Sequence, residues 1–450
     1  MSKSSNTRNL KIKRGLTALT LTALTLGLAS CGTTTPAISS SNNQTSYALT
    51  VTIQKDSNRS DLEQRFGGRV VMWHPEAGFA ILGMSDGAAS RLRATRSVAA
   101  ANLELNHNRL AATGSIGVWT GGSIGVWTGG SIGVWTGGSI GVWTGGSIGV
   151  WTGGTYNPSP ENTSNWQQIH LEQAQARATN LGANVKVAVI DTGLDMNHSS
   201  FTNTLVAAAD MFDFIGNDAT PQEEGVDGQS GYGHGTSVAG IVLQVAPQAK
   251  IMPLRALGLN GFGDVTDVAS AIDFAVSHGA KVINLSLGAS EHSTALSTAI
   301  GYATTQGVQV VSSSGNTGDT NITYPAAQAN TSDSVGAMSL SVGSVDSNDL
   351  KSGFSTFGSN LEVLAPGEFV YGPVPGNRRG AWSGTSMAAP MVSGGLALAL
   401  GQTLVVAPSS LAQTIKTSAQ SIESLNPNNL GQLGSGRINL QNFLNVVTAP

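Results

Sequence analysis

The sequence predicts an α/β protein, a large three-layer α/β/α domain with a mainly parallel sheet, preceded by a small α+β module. Three observations lead there. From Tyr156 onward, short β-branched runs alternate with helical stretches, the order that builds a parallel sheet covered on both faces. Residues 46–110 carry the strand and helix patterns of a separate small unit. Five identical copies of the octapeptide SIGVWTGG, from Ser115 to Gly154, divide the two. A chain of 450 residues with 40% hydrophobic content can bury a sizeable core, which excludes a wholly disordered protein.

The elements follow in chain order. Lys3, Arg8, Lys11, Lys13 and Arg14 precede an uncharged Leu/Ala/Thr-rich run from Gly15 to Leu28, the layout of a secretory signal. The run is too short and too Thr-rich for a good membrane span. It ends in Leu28-Ala29-Ser30-Cys31-Gly32, which resembles a bacterial lipobox. That resemblance implies removal of residues 1–30, acylation of Cys31 and attachment to a membrane; an ordinary secretory cleavage site is the alternative. Cys31 is the only cysteine, so an intramolecular disulfide framework and a Cys-rich zinc site are excluded. Net charge is −4 with 11% charged residues, and no basic block follows the N-terminal one, which argues against a nucleic-acid partner. Residues 31–45 are Ser/Thr/Asn-rich and read as a flexible tether.

In residues 46–110, Tyr47 to Ile53 alternates like a strand and Asp61 to Phe66 suits a short helix. Arg69 to Trp73 and Gly78 to Leu82 read as paired strands, and Ala88 to Thr95 as a second helix. Residues 111–155 hold the repeats. Perfect identity between copies favours a linker, although the Gly-Gly pairs would also permit a β-meander. In residues 156–450, strands are expected at Val185–Ile190, Ile251–Arg255, Val282–Leu285, Val308–Ser312 and Leu340–Val345. Helices are expected at Val265–Ser277, Ser293–Gln306 and Ser386–Leu400.

The G-x-S-x-G pattern occurs around Ser85, Ser123, Ser131, Ser139 and Ser147, but four of these are products of the repeat and Ser85 lies in the small module. A stronger set lies in the large domain. Asp191 ends an apolar strand at a Gly-containing turn, the carboxyl edge where open α/β sheets place ligands. His234 stands between two glycines at a helix start, and Ser386 stands at another. Alone, each reads as a turn or capping residue. Together, in the order Asp, His, Ser, they match one known chain order of the nucleophilic triad.

The segments Asp191-Thr192-Gly193, Gly233 to Gly240 (GHGTSVAG) and Gly384 to Pro390 (GTSMAAP) resemble the three signature blocks of the subtilisin-like serine peptidases, the subtilases, over residues 166–439. The resemblance implies a subtilisin-like fold and hydrolysis of peptide bonds in proteins or peptides. Ser386 would be the nucleophile, His234 the general base, Asp191 its orienting partner and Asn316 an oxyanion-hole donor. It implies substrate-binding edges at Ser286-Leu287-Gly288 and Gly261-Phe262-Gly263, with Gly315 beside Asn316. No cofactor is required. A calcium-supporting insertion common after the histidine helix is missing, since Val242-Leu243-Gln244 runs straight into Val245-Ala246-Pro247. Asp195, Asp210, Asp213, Asp218 and Asp227 remain as calcium candidates without a recognisable metal site.

By position, size and element order, residues 46–110 resemble the family's inhibitor and chaperone propeptide. Its cleavage would fall anywhere from about His107 to Asn165, which leaves open whether the enzyme stays joined to Cys31 or is secreted. Two other readings compete: a catalytically silent surface lipoprotein of the same fold, and an adhesin acting through the Trp-rich repeats.

Overall fold

A computed structural model of the chain describes residues 45–95, 98–107, 109–112, 115–119, 125–129, 132–135, 160–229, 231–331 and 333–448. The export segment, Cys31, the tether through residue 44 and the last two octapeptides lie outside the described residues.

The small module runs β1 (Tyr47–Thr52), α1 (Arg59–Phe66), β2 (Gly68–His74), β3 (Phe79–Met84), α2 (Asp86–Ala94) and β4 (Leu103–Leu105). Its four strands pair antiparallel in the order β2-β3-β1-β4. Asn58 caps the start of α1, and Gly67 closes it in the left-handed conformation that glycine tolerates. Ser85, the stray hydrolase match, is the N-cap of α2. The strands are apolar on both faces. Leu49, Val51, Ala80, Leu82 and Met84 meet Leu62, Ala88 and Leu92 from the helices. Ala48, Met72 and Ile81 point the other way and join a core of the large domain.

After the module come β5 (Leu110–Ala112) and three strands from the first octapeptides, β6 (Ser115–Trp119), β7 (Gly125–Gly129) and β8 (Ile132–Trp135). These three pair antiparallel as the meander that the repeat sequence permits.

The large domain opens with α3 (Thr163–Gln168) and α4 (Leu171–Arg177), then β9 (Lys186–Asp191), β10 (Phe212–Asp213), α5 (His234–Val245) and β11 (Lys250–Arg255). It continues through β12 (Phe262–Gly263), α6 (Val265–Ser277), β13 (Val282–Leu285), β14 (Leu287–Gly288) and α7 (Thr294–Thr305). Then follow β15 (Gln309–Ser313), α8 (Ser334–Met338), β16 (Ser339–Val345), β17 (Val363–Pro366), β18 (Val370–Val374), β19 (Arg378–Ser383) and α9 (Thr385–Leu400). Helices α10 (Leu411–Thr417) and α11 (Leu440–Val447) complete it.

The central sheet has seven strands in the order β10-β11-β9-β13-β15-β16-β17, all parallel. Parallel strands are buried on both faces, and β9 shows how the sequence meets that demand. Val187 and Val189 face the core built on α5 and α9, while Ala188 and Ile190 face the core built on α6 and α7. Helix α6 spans the expected Val265–Ser277, and the other expected elements hold with end shifts of a residue or two. Strands β17 to β19 have no counterpart among the expected elements, because Gly and Pro break their apolar runs.

Helices α5 and α9 pack closely because one carries no side chain at the crossing. A Cβ added to Gly394 would approach the Val245 Cβ to 2.6 Å. Leu396, close by on α9, is completely buried in the same core. Leu396→Ala is expected to cost about 2–5 kcal/mol, the range for a truncated core leucine. Guanidinium unfolding in a Ser386→Ala background, which avoids self-digestion, measures it; a loss below about 1 kcal/mol would show that this core does not carry the fold.

Candidate active site

The carboxyl end of β9 delivers Asp191 to the first turn of α5, which carries His234. Asp191 Oδ1 lies 2.7 Å from His234 Nδ1, with both side chains only 1% exposed. Two glycines permit that approach. Gly193 turns away after the strand with φ +109, and a Cβ on Gly235 would overlap the Gly193 carbonyl oxygen. The same Asp191 oxygen accepts the Thr192 amide at 2.7 Å, which fixes the carboxylate. With Nδ1 donating to Asp191, the other ring nitrogen, Nε2, is left as an acceptor, and among the described residues this buried atom has no hydrogen-bond partner. The ring sits edge-on to Trp382, with centroids 5.4 Å apart.

Ser386 is the second residue of α9, where backbone N–H groups lack intrahelical partners. Its hydroxyl donates to the Ser286 carbonyl at 3.2 Å. A buried chain of side chains fixes this turn. Ser393 donates to Asn284 Oδ1 at 2.8 Å, Asn284 Nδ2 donates to Ser286 Oγ at 2.9 Å, and Ser286 Oγ donates to the Ser386 carbonyl at 2.9 Å. The Asn284 and Ser393 contribution had no sequence signal, because the two residues are over a hundred positions apart. Asn316 is held by its oxygen, which accepts from the Thr385 amide at 2.9 Å and the Thr385 hydroxyl at 3.0 Å. Its Nδ2 is therefore the end turned away from that anchor. Gly315, with φ +110, donates its amide to the same Thr385 hydroxyl.

The two expected substrate edges come together around one strand. Strand β5 lies between β12 and β14 in a three-stranded sheet. Phe262 and Gly263 pair with Ala111 and Leu110, and Leu287 and Gly288 pair with Ala112 and Ala111. The Ala112 amide also donates to the Gly261 carbonyl at 2.8 Å. Backbone pairing of this kind accepts an extended peptide with little regard for side chains. The five acids considered for calcium do not converge. Asp210 pairs with Lys186, Asp213 with buried Arg255, and Asp227 with Arg378. Asp195 accepts the Gly376 amide, and Asp218 the Thr220 amide. Among the described residues, no group of three or more His, Cys, Asp or Glu is arranged to hold a metal ion.

The chain is similar to several known proteins. The model of the subtilase family matches residues 182–436. Thermitase of Thermoactinomyces vulgaris is 40% identical over 238 residues, 51% of this chain and 78% of thermitase. Subtilisin Savinase of Lederbergia lenta is 35% identical over 269 residues, 58% of this chain and 90% of that protein. A crystal structure of a cold-adapted subtilisin-like serine proteinase aligns with a TM-score of 0.47 and 31% identity, covering 57% of this chain and 88% of that one.

A further residue of the site escapes a reading of the sequence. Glu223 lies in the loop before α5 and is buried beneath the Asp191–His234 pair. Its Oε1 accepts the Thr192 hydroxyl at 2.7 Å, and its Oε2 accepts the Thr236 hydroxyl at 2.8 Å and amide at 3.1 Å. It thus ties the residue after the acid to the second residue after the histidine. In sequence, Glu223 is indistinguishable from its neighbour Glu224, which is largely exposed and pairs with Arg255. Burial, opposed by the donated hydrogen bonds and assisted by the nearby Asp191 charge, pushes the Glu223 carboxyl up to about 7.

The folded protein therefore keeps a proton on Glu223 that the unfolded chain releases near the ordinary value of 4.5. This contribution is fully present below pH 4.5 and is lost as pH rises through about 7. At about 1.4 kcal/mol per pKa unit, it amounts to roughly 3 kcal/mol. A glutamine at this position cannot titrate. In a Ser386→Ala background, the stability of the chain with Glu223 intact, measured relative to the Glu223→Gln variant, is expected to fall by about 3 kcal/mol between about pH 4.5 and 8. A difference that stays flat with pH contradicts the assignment.

Proposed function

The chain belongs to the subtilase family and is a subtilisin-like serine endopeptidase, and from that premise we propose that Asp191, His234, Ser386 and Asn316 carry the reaction in an exported, self-processing precursor. The observation that carries the catalytic roles is the buried 2.7 Å contact between Asp191 and His234, with the opposite ring nitrogen left as a proton acceptor. A serine hydroxyl is too weakly acidic to attack an amide unaided. Ser386 Oγ turns from the Ser286 carbonyl toward His234 Nε2, gives up its proton there and bonds to the substrate carbonyl carbon. Asp191 holds the tautomer and stabilises the imidazolium. His234 then protonates the leaving amine, and water hydrolyses the acyl-enzyme by the same route.

The negative oxygen of the tetrahedral intermediate is received by the Ser386 amide and Asn316 Nδ2. The Thr385 contacts support this role for Asn316, since they hold its carbonyl end away from the donors' target. This chemistry needs no metal or cofactor beyond water. Substrates are proteins or peptides bound in extended form along Gly261-Phe262-Gly263 and Ser286-Leu287-Gly288, the edges that β5 pairs with.

Occupation of those edges by β5 supports the reading of residues 46–110 as an intramolecular inhibitor. The module also supplies partners to two helix starts. Asn106 accepts the Thr266 amide of α6 at 2.8 Å, and Glu104 accepts the Ala295 amide of α7 at 2.8 Å. Such contacts, each worth about 1 kcal/mol, favour formation of α6 and α7 and give the module a chaperone role. Export, and membrane attachment through Cys31 before processing, rest on the basic and uncharged runs of residues 3–28 and the Leu28-to-Gly32 pattern.

Ser386→Ala is expected to lower turnover of a peptide substrate by about six orders of magnitude. Asn316→Ala should lower it by about 10²–10³ with little change in KM, because its contact forms in the transition state. Steady-state kinetics on purified enzyme checks both. Equal turnover by wild type and Ser386→Ala would overturn the assignment.

A further inference from the structure

The helix that carries His234 begins without a capping side chain. Its N-cap is Gly233, in the left-handed conformation, and its first intrahelical bond runs from the Ser237 amide to the Gly233 carbonyl at 3.0 Å. The amides of His234, Gly235 and Thr236 must therefore find acceptors outside the helix, in a turn that is buried. The His234 amide donates to the Gly231 carbonyl at 3.2 Å. The Gly235 amide donates to the Thr192 hydroxyl at 3.0 Å, and that hydroxyl donates to Glu223 Oε1. The Thr236 amide donates directly to Glu223 Oε2. The Asp195 amide donates to the Thr236 hydroxyl at 2.8 Å, and that hydroxyl also donates to Glu223 Oε2. Both chains, one starting on the helix and one on the turn after Asp191, end on one carboxyl group. The carboxyl is held in turn by its own backbone. The Glu223 amide donates to the Leu194 carbonyl at 2.8 Å, and a Cβ on Gly193 would come within 3.1 Å of the Glu223 nitrogen. Among the described residues the imidazole has Asp191 as its hydrogen-bond partner, so Glu223 reaches the ring only through the backbone of α5.

We propose that Glu223 is a positioning residue for the reaction: with Thr192 it supplies the cap that Gly233 lacks, and so fixes the first turn of α5 where His234 can hold Asp191 at one nitrogen and take the Ser386 proton at the other. The inference rests on the serine-peptidase reading of His234 and Ser386. A side-chain cap normally comes from the residue that starts the helix. Here a glycine is needed at that place, and the acceptors come from the turn after Asp191 and the loop before the helix. The base is thereby referenced to the strand that carries its acid. Proton transfer depends steeply on such placement, and a displacement of about 1 Å costs on the order of 10²-fold in rate. Glu223 is buried, so a substrate in the cleft does not touch it and its loss falls on kcat and not on KM. Glu223→Gln keeps an oxygen for the Thr236 amide and turns an N–H toward the Thr192 oxygen, which preserves the cap without the charge.

The test is steady-state kinetics on a peptide substrate for enzyme obtained from the full-length chain, as wild type, Glu223→Ala, Glu223→Gln and Thr192→Val. Each kcat is divided by the serine that a fluorophosphonate labels, so that loss of folded protein does not count as loss of rate. Glu223→Ala is expected to lower kcat per labelled serine on the order of 10²-fold at unchanged KM. Glu223→Gln should recover most of that loss. Thr192→Val keeps the volume and removes the hydroxyl between Gly235 and Glu223, and should also lower kcat at unchanged KM; it decides the matter if Glu223→Ala does not fold. Wild-type kcat per labelled serine in Glu223→Ala, or in Thr192→Val where the alanine variant is not folded, overturns the positioning role and leaves the enzymatic reading intact. A change confined to KM, or no recovery in Glu223→Gln, overturns it as well. A wild type that neither turns over substrate nor takes the label overturns the enzymatic reading, and the positioning role with it.

Discussion

The contact between Asp191 and His234 is the constraint on which the site depends. It joins the carboxyl end of a central parallel strand to the amino end of a buried helix, and neither element can shift without breaking it. The burial of both side chains strengthens the interaction by excluding water, and it also requires that the backbone come close enough to make it. Gly193 and Gly235 meet that requirement by removing side chains where the strand turn faces the helix. Glu223 then closes the arrangement from below through Thr192 and Thr236, so the segments carrying Asp191 and His234 are tied together twice.

Ser386, the proposed nucleophile, is placed by a separate device. Helix α9 passes through the core beside the sheet, and its small residues let it lie against α5. The Ser393, Asn284 and Ser286 chain pins its first turn to the end of β13 and the start of β14. Ser286 therefore belongs to two structures at once. Its side chain fixes the turn of Ser386, and its backbone lies at the head of the edge that β5 pairs with. Ser286 thus links the edge that β5 pairs with to the turn that carries Ser386.

Much of this was legible in the sequence, for identifiable reasons. The run Val187 to Ile190 declares a doubly buried strand because parallel sheets demand apolar residues on both faces. The glycines around Asp191, His234 and Ser386 mark turns, and the order of the three residues matches that of the proposed triad. Glu223 was not legible, since its role depends on burial that a surface acid such as Glu224 does not share. The Asn284–Ser393 bond was hidden by sequence distance. The pairing of β5 with both cleft edges was hidden as well, because Leu110-Ala111-Ala112 is too short to announce a strand and its partners lie over a hundred residues downstream. The pairing of the first octapeptide with β19 likewise depends on a strand whose Gly and Arg residues conceal it.

The central claim is that Ser386 forms a covalent acyl-enzyme with His234 as its base. Rapid acid quenching of the processed enzyme with an ester substrate, followed by peptide mass mapping, tests it most directly. The account predicts one acyl group, carried by Ser386, formed in a burst that disappears in His234→Ala. An acyl group on another residue such as Ser85, or turnover with no acyl-enzyme at all, would contradict it.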